Sequence, residues 1–305
     1  MWWQRSMLFS LVPLLSATAL AQFPTTPTPT PRPGSRQANL PGAAADSVDY
    51  DRLRSVEMMI PRDRIRSHPL LDPKKGIYRK PSKEEIEILA VGEPLLSRYA
   101  AFLKEPNTGI VKLNGESSCV TDKDVVAASE KCIPFKMPGA GTAFSFRTES
   151  YRLPRLADVI LIDNIFRTGG VFQQVVMADL GDVAVEDLTL DSKGMKFLQD
   201  LKPAENSTEF MKLNAEMAKG AEFDGIFYRN GHPLKENSSY ALRSLAYRGQ
   251  YVRTIEGIQY DELEFDKRRD VIVAFRVVDK DQAGNVTIVW KRLRDLEAPK
   301  LKVKK

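Results

Sequence analysis

The sequence predicts an α+β protein: a strand-rich two-layer sheet or sandwich body with flanking helices and a C-terminal β-hairpin. Three observations carry this. Period-2 or continuous apolar runs dominate the chain after residue 140. Helical i, i+4 recurrence is confined to stretches near residues 82–103 and 207–220. Two β-rich runs, Val271 to Val278 and Val286 to Leu293, flank a turn-rich Asp279 to Asn285, the pattern of a hairpin.

The chain opens with Arg5 and then an apolar run, Met7 to Ala21, too short to cross a hydrocarbon core of about 30 Å. It ends in Ala19-Leu20-Ala21, the small-x-small pattern cut by a signal peptidase. Residues 1–21 are therefore expected to be a removed signal peptide, with Gln22 as the new N-terminus. No cysteine follows that point closely enough to be lipidated, and no later run has transmembrane length. The expected locations are the periplasm, the cell envelope or the extracellular space.

Residues 22–49 are Pro/Thr-rich, with Pro24, Pro27, Pro29, Pro31 and Pro33, and then Ala/Gly-rich. Such a composition predicts an extended, disordered spacer. Residues 50–81 form a basic arm, residues 82–296 the body, with a weak boundary near 132–141, and residues 297–305 a basic tail.

Within the body, Ser82 and Glu85 match a capping box. A second helix is expected after Pro94 through Tyr99 and Leu103, and a short strand over Ile110 to Leu113. Thr142 to Glu149 alternates, with Phe144 and Phe146 on one face and Ser145 and Arg147 on the other, as in a half-buried strand. Ala157 to Ile162, Val171 to Met177 and Val183 to Leu190 are further strand candidates. Asn206 or Ser207 can cap a helix that places Phe210, Leu213 and Met217 on one face and closes at Gly220. Phe223 to Tyr228, a hairpin turn at Asn230-Gly231, and a return over Tyr240 to Tyr247 follow. The charged stretch Tyr260 to Asp270 reads as a solvated connection into the last hairpin.

Charge is unevenly distributed over a chain of net +5, or +4 once Arg5 is removed with the signal. Asp51 to Lys80 is +5, Pro81 to Trp290 is −6 and Lys291 to Lys305 is +5. An acidic body with basic ends lacks the clustered basic face and stacking aromatics of a nucleic-acid binder. Lys300, Lys302, Lys304 and Lys305 are candidates for contact with an anionic surface at about 1 kcal/mol per basic residue. The alternatives are a solvated, disordered end that aids solubility and folding of the basic ends back onto the acidic body.

Cys119 and Cys132 are the two cysteines, and in an exported chain they predict one structural disulfide. Neither a Cys-x-x-Cys redox spacing nor a histidine for a zinc tetrad lies nearby. Accordingly, no metal and no cofactor are expected.

Catalytic signals are sparse. His68 and His232 each precede a proline and read as exposed loop residues, and no Gly-x-Ser-x-Gly elbow or phosphate-binding glycine loop is present. Asp279-Lys280-Asp281 with Gly284 and Asn285 lacks the distal ligands of an EF-hand and reads as a hairpin turn. Glu149, Asp158 and Asp163 lie on or beside apolar strands, where a buried carboxylate could have a raised pKa. Asn206, Asn237 and Asn285 sit in glycosylation-acceptor triplets, meaningful only in a eukaryotic secretory route. The expected function is an exported, non-catalytic protein that binds an envelope protein or an anionic surface; the alternative is an exported hydrolase using paired carboxylates. N-terminal sequencing of exported material should begin at Gln22, and an intact Met1 would contradict the export reading.

Overall fold

A computed structural model describes residues 83–121, 130–135, 137–255 and 258–302, all within one unit, Leu40–Lys305. The expected signal peptide, the Pro/Thr-rich segment, the basic arm with His68, the Ser82 cap, and Lys304 and Lys305 lie outside the described residues. The chain order is α1 (Lys83–Glu87), α2 (Glu93–Arg98), β1 (Thr108–Leu113), β2 (Ala143–Ser145), β3 (Ser150–Tyr151), β4 (Val159–Ile162), β5 (Ile165–Arg167) and β6 (Gln173–Gly181). There follow α3 (Met195–Asp200), α4 (Ser207–Lys219), β7 (Ala221–Phe223), β8 (Ile226–Arg229), β9 (Gly231–Pro233), β10 (Ser239–Ala246), β11 (Val252–Ile255), β12 (Ile258–Asp261), β13 (Arg269–Lys280) and β14 (Val286–Glu297).

Seven strands form one sheet in the order β1-β14-β13-β10-β6-β8-β7, and five form a second in the order β3-β2-β4-β5-β9. All pairings are antiparallel. Their inner faces meet over one apolar core to which Phe144, Phe146, Leu161 and Phe166 contribute from the small sheet or its margins, and Met177, Leu242, Phe275 and Trp290 from the large one. Phe275 is the hub. Its ring stacks on Phe146 at 5.9 Å and on Tyr240 at 5.1 Å, and meets Phe166 edge-on at 5.1 Å, arrangements that add about 0.5–1.5 kcal/mol per pair beyond area burial.

The outer face of the large sheet is covered by helices and loops. Val176, Ala241, Ile272 and Val289 pack there against Tyr99, Phe102, Leu198 and Met217. Strand β10 is buried along its whole length, because one face lies on the second sheet and the other beneath the helices. The predicted sandwich with flanking helices is the observed architecture.

Several elements match their local signals. Asn206 caps α4 by accepting from Glu209 N, and Gly220 closes it at φ 90°. The C-terminal hairpin β13–β14 is present and longer than expected. Within its turn, Asp281 pairs with Lys112 at 2.8 Å and holds Asn285 N at 2.9 Å.

Others differ. The Thr142–Glu149 strand stops at Ser145 and turns, so Ser145 and Arg147, expected on a half-solvated face, are both buried. Val183 to Leu190 forms no strand: it is a loop in which Val185 and Leu188, three apart, both drop onto the outer face of the large sheet. Asn230-Gly231 is not a hairpin turn. The tight turn is Asp224-Gly225 between β7 and β8, both residues having positive φ; the chain then leaves the large sheet and enters the small one as β9. Gly231 is needed for close approach, since a Cβ there would lie 2.7 Å from Phe166 O. Tyr240 to Tyr247 returns as β10, pairing with β13 and β6 rather than β8. The stretch 260–270 is not simply solvated, for Asp261, Glu262 and Asp270 are buried. Helix α3 and the β11–β12 hairpin had no clear local signal.

Cys119 and Cys132 form the disulfide, buried with Ala140. A Cys119→Ala/Cys132→Ala chain should unfold about 3 kcal/mol more readily in urea; unchanged stability would show that the short loop needs no staple.

Candidate functional site

The most concentrated polar chemistry lies in the seam between the sheets. Arg147 follows β2 and is 1% exposed, and Asp158, just before β4, is fully buried. Arg147 Nε donates to Asp158 Oδ1 at 2.8 Å, and Nη1 donates to Asp266 Oδ2 at 2.6 Å. Asp158 Oδ1 also accepts from Gln173 at 2.7 Å and Ser244 at 2.7 Å, while Oδ2 accepts from Ser145 at 2.9 Å. The small sheet thus contributes Ser145 and the large sheet contributes Gln173 and Ser244. Arg268 closes the network on Asp266 at 2.7 Å and donates to the carbonyls of Val171, Phe172 and Tyr247.

Burial opposes the charges of Asp266, Arg147 and Arg268, and for the first two the opposite charges outweigh it. Burial alone would raise the Asp266 pKa, yet Arg147 and Arg268 hold it below its ordinary 3.8. Burial likewise works against the Arg147 cation, but Asp158 and Asp266 raise its pKa. For Arg268 burial wins, lowering the pKa to about 10, still a cation at neutral pH. Two carboxylates converge here, but onto shared guanidinium groups with no solvent path. This geometry holds charge and joins sheets; it presents no carboxylate to a substrate.

The other carboxylates singled out from the sequence are dispersed. Asp163 is exposed in the β4–β5 turn at φ 49°, and Glu149 is exposed at φ 53° and pairs with Arg292 at 3.1 Å. A second buried pair, Arg243 with Asp270 at 2.7 Å, lies under the helices, where Arg243 Nη1 also donates to Leu198 O at 2.7 Å and ties down the end of α3.

A groove of about 620 Å³ opens toward solvent where β6 runs out of the sheet. Leu180 from β6, Val183 and Leu188 from the following loop, and Ile226 from β8 supply its apolar lining. Asp179, Asp187, Lys193 and Lys235 supply charge. Asp179 and Lys235 pair at 2.8 Å, and Asp179 also accepts from Ser238 at 2.7 Å. Burial would raise its pKa, but Lys235, Gly181 N and Ser238 lower it. Asp187 and Lys193 are exposed and make no ion pair among the described residues. Gly194, at φ 91°, lets the chain turn into α3 hard against this lining, since a Cβ there would lie 2.6 Å from Leu180 Cδ2.

His232 is not an exposed loop residue. It sits on β9, 7% exposed, with Nε2 3.0 Å from Met177 O; β9 extends the small sheet, and that places the ring between the layers. Of the tail, Lys302 is tied to the body through Glu205, and Leu301 packs beside Tyr247. Lys300 forms a bridge with Arg248 and leaves its side chain exposed. Among the described residues no group of His, Cys, Asp and Glu side chains could hold a metal ion, and no helix is long and apolar enough to cross a membrane.

No residue of the groove stands out in the sequence as a site residue; Val183 and Leu188 read there only as strand positions. Its lining comes from segments up to 56 positions apart, Asp179 to Lys235, and only the positive-φ turn glycines near it leave a local trace. Comparison of the chain with protein-family models, with curated proteins and with solved structures finds no match.

Replacing Arg147 by Met should cost about 3–5 kcal/mol in urea unfolding, because buried Asp158 loses its cationic partner and Asp266 loses one of its two. The Asp266 contribution should be complete above pH 3.8 and disappear as pH falls through its lower folded-state pKa. An Asp266→Asn chain that keeps the wild-type acid dependence would contradict the second expectation.

Proposed function

We propose that this is an exported, non-catalytic binding protein of the cell envelope or extracellular space, and that it receives a segment of a partner protein in the groove at the end of β6. The groove itself carries the reading. It combines an apolar lining of Leu180, Val183, Leu188 and Ile226 with charges of both signs, the mixture found where a side chain is buried and its flanks are steered. Asp187 and Lys193 have no internal ion-pair partners among the described residues, so both are available to a ligand. The matching occupant is an extended segment with one bulky apolar side chain, a basic residue on the Asp187 side and an acidic residue on the Lys193 side.

The export signal and the disulfide support an oxidising, extracytoplasmic setting. The sealed Arg147 seam supports a structural use of the converging carboxylates. A groove open to solvent supports binding over chemistry, which favours enclosed sites that exclude water.

The test is cross-linking of the mature protein in its native envelope, comparing wild type with a Val183→Asp/Lys193→Glu chain. Both positions are exposed, so the fold should be little affected. Wild type should capture a defined partner, and the variant should capture about tenfold less, as for loss of one good contact. Equal capture by both chains, or no defined partner, would overturn the reading.

A further inference from the structure

We propose that β9 is an acid-released latch between the two sheets, with His232 as its trigger. The strand is only three residues long and pairs with β5 alone in the small sheet. Two hydrogen bonds tie it to the large sheet: His232 Nε2 on Met177 O of β6 at 3.0 Å, and the Tyr240 hydroxyl of β10 on Pro233 O at 2.8 Å; the first is the one that titrates. The neutral ring fits that position: Nε2 carries the proton and donates to the carbonyl. Protonation adds a charge to a ring that is 7% exposed.

Burial outweighs what its surroundings offer the cation, which is the Met177 carbonyl and Asp179. Asp179 on β6 is the one carboxylate acting on the ring, and it is already engaged by Lys235 and Ser238. Arg229 from β8 and Lys235 from the segment after β9 are both cationic. From β10 the ring faces Tyr240, whose hydroxyl is taken up with Pro233 O and Lys235 N. From β5 it faces Phe166, its register partner. Burial first, and these cations with it, hold the His232 pKa below its ordinary 6.5.

The direction follows. When β9 lifts away from β6, His232 meets water and regains an ordinary pKa, so the open state binds a proton that the closed state refuses. Opening is independent of pH well above 6.5 and becomes more favourable as pH falls below it, until the closed-state pKa is reached. Lys235 moves with β9 and its partner Asp179 stays on β6, so the same opening takes apart one wall of the groove. The latch rests on the fold alone and does not require the groove to hold a partner.

Amide hydrogen exchange on the full mature chain tests it. The reporters are Lys235 N, which donates to the Tyr240 hydroxyl of β10 at 2.9 Å, and Asn230 N, bonded to Met217 O of α4, both of which join the β9 segment to the large-sheet side. After correction for intrinsic rates, wild-type protection at these amides should drop by up to about tenfold per pH unit below 6.5. Protection in His232→Gln, which can still donate to Met177 O, should be flat over the same range. Flat wild-type behaviour, or an unchanged pH dependence in His232→Gln, would overturn the latch. Should His232→Gln fail to fold, the ring can be titrated by NMR in a His68→Gln chain, where His232 is the sole histidine. A pKa well below 6.5 upholds the proposal, and one at or above 6.5 overturns it.

Discussion

A guanidinium with no access to water sets the terms for the rest of this structure. Arg147 can be buried only if Asp158 and Asp266 are both in place, and Asp158 in turn needs Ser145 from one sheet and Gln173 and Ser244 from the other. An uncompensated charge of this kind costs several kcal/mol, so partial assemblies are penalised. The neighbouring residue completes the constraint. Because the chain turns after Ser145, Phe146 enters the aromatic core against Phe275 while Arg147 enters the polar seam. Consecutive residues therefore align the sheets by packing and by charge.

Strand β10 propagates that alignment through the layers. Its Ser244 reaches Asp158 in the seam, and the adjacent Arg243 points the other way to Asp270 and the carbonyls at the end of α3. Helix α3 is thereby positioned, and Gly194 brings its start against Leu180 and Ile226. The groove is the gap left where β6 passes beyond its pairing with β8 and the 182–190 loop folds back. Its location at the periphery is a consequence of the central strand's being saturated on both faces, which leaves openings only where strands end.

Local pattern revealed the elements whose partners are near in sequence. The C-terminal hairpin and α4 follow from alternating runs and from caps at Asn206 and Gly220, signals contained within a few residues. The 183–190 segment misled because Val183, Val185, Leu188 and Leu190 can be read at either spacing, and tertiary burial of Val185 and Leu188 decides it. Arg147 misled for a different reason: a charged residue alternating with phenylalanines signals a wet face unless its counter-charges are known, and Asp266 lies 119 positions away. His232 was hidden in the same way, since the Asn-Gly step before it marks both a hairpin turn and a close strand approach. The groove had no linear signature because each of its segments is ordinary and only their convergence is informative.

The Arg147 seam couples the sheets through compensated charge. A double-mutant cycle in urea between Arg147→Met and Asp158→Leu addresses it most directly. If the damage from each single substitution is mainly an orphaned buried charge, removing both partners should recover at least about 1 kcal/mol relative to the sum of the single effects. Strict additivity would contradict the account and would make the seam a region of good packing in which the ion pair plays no special part.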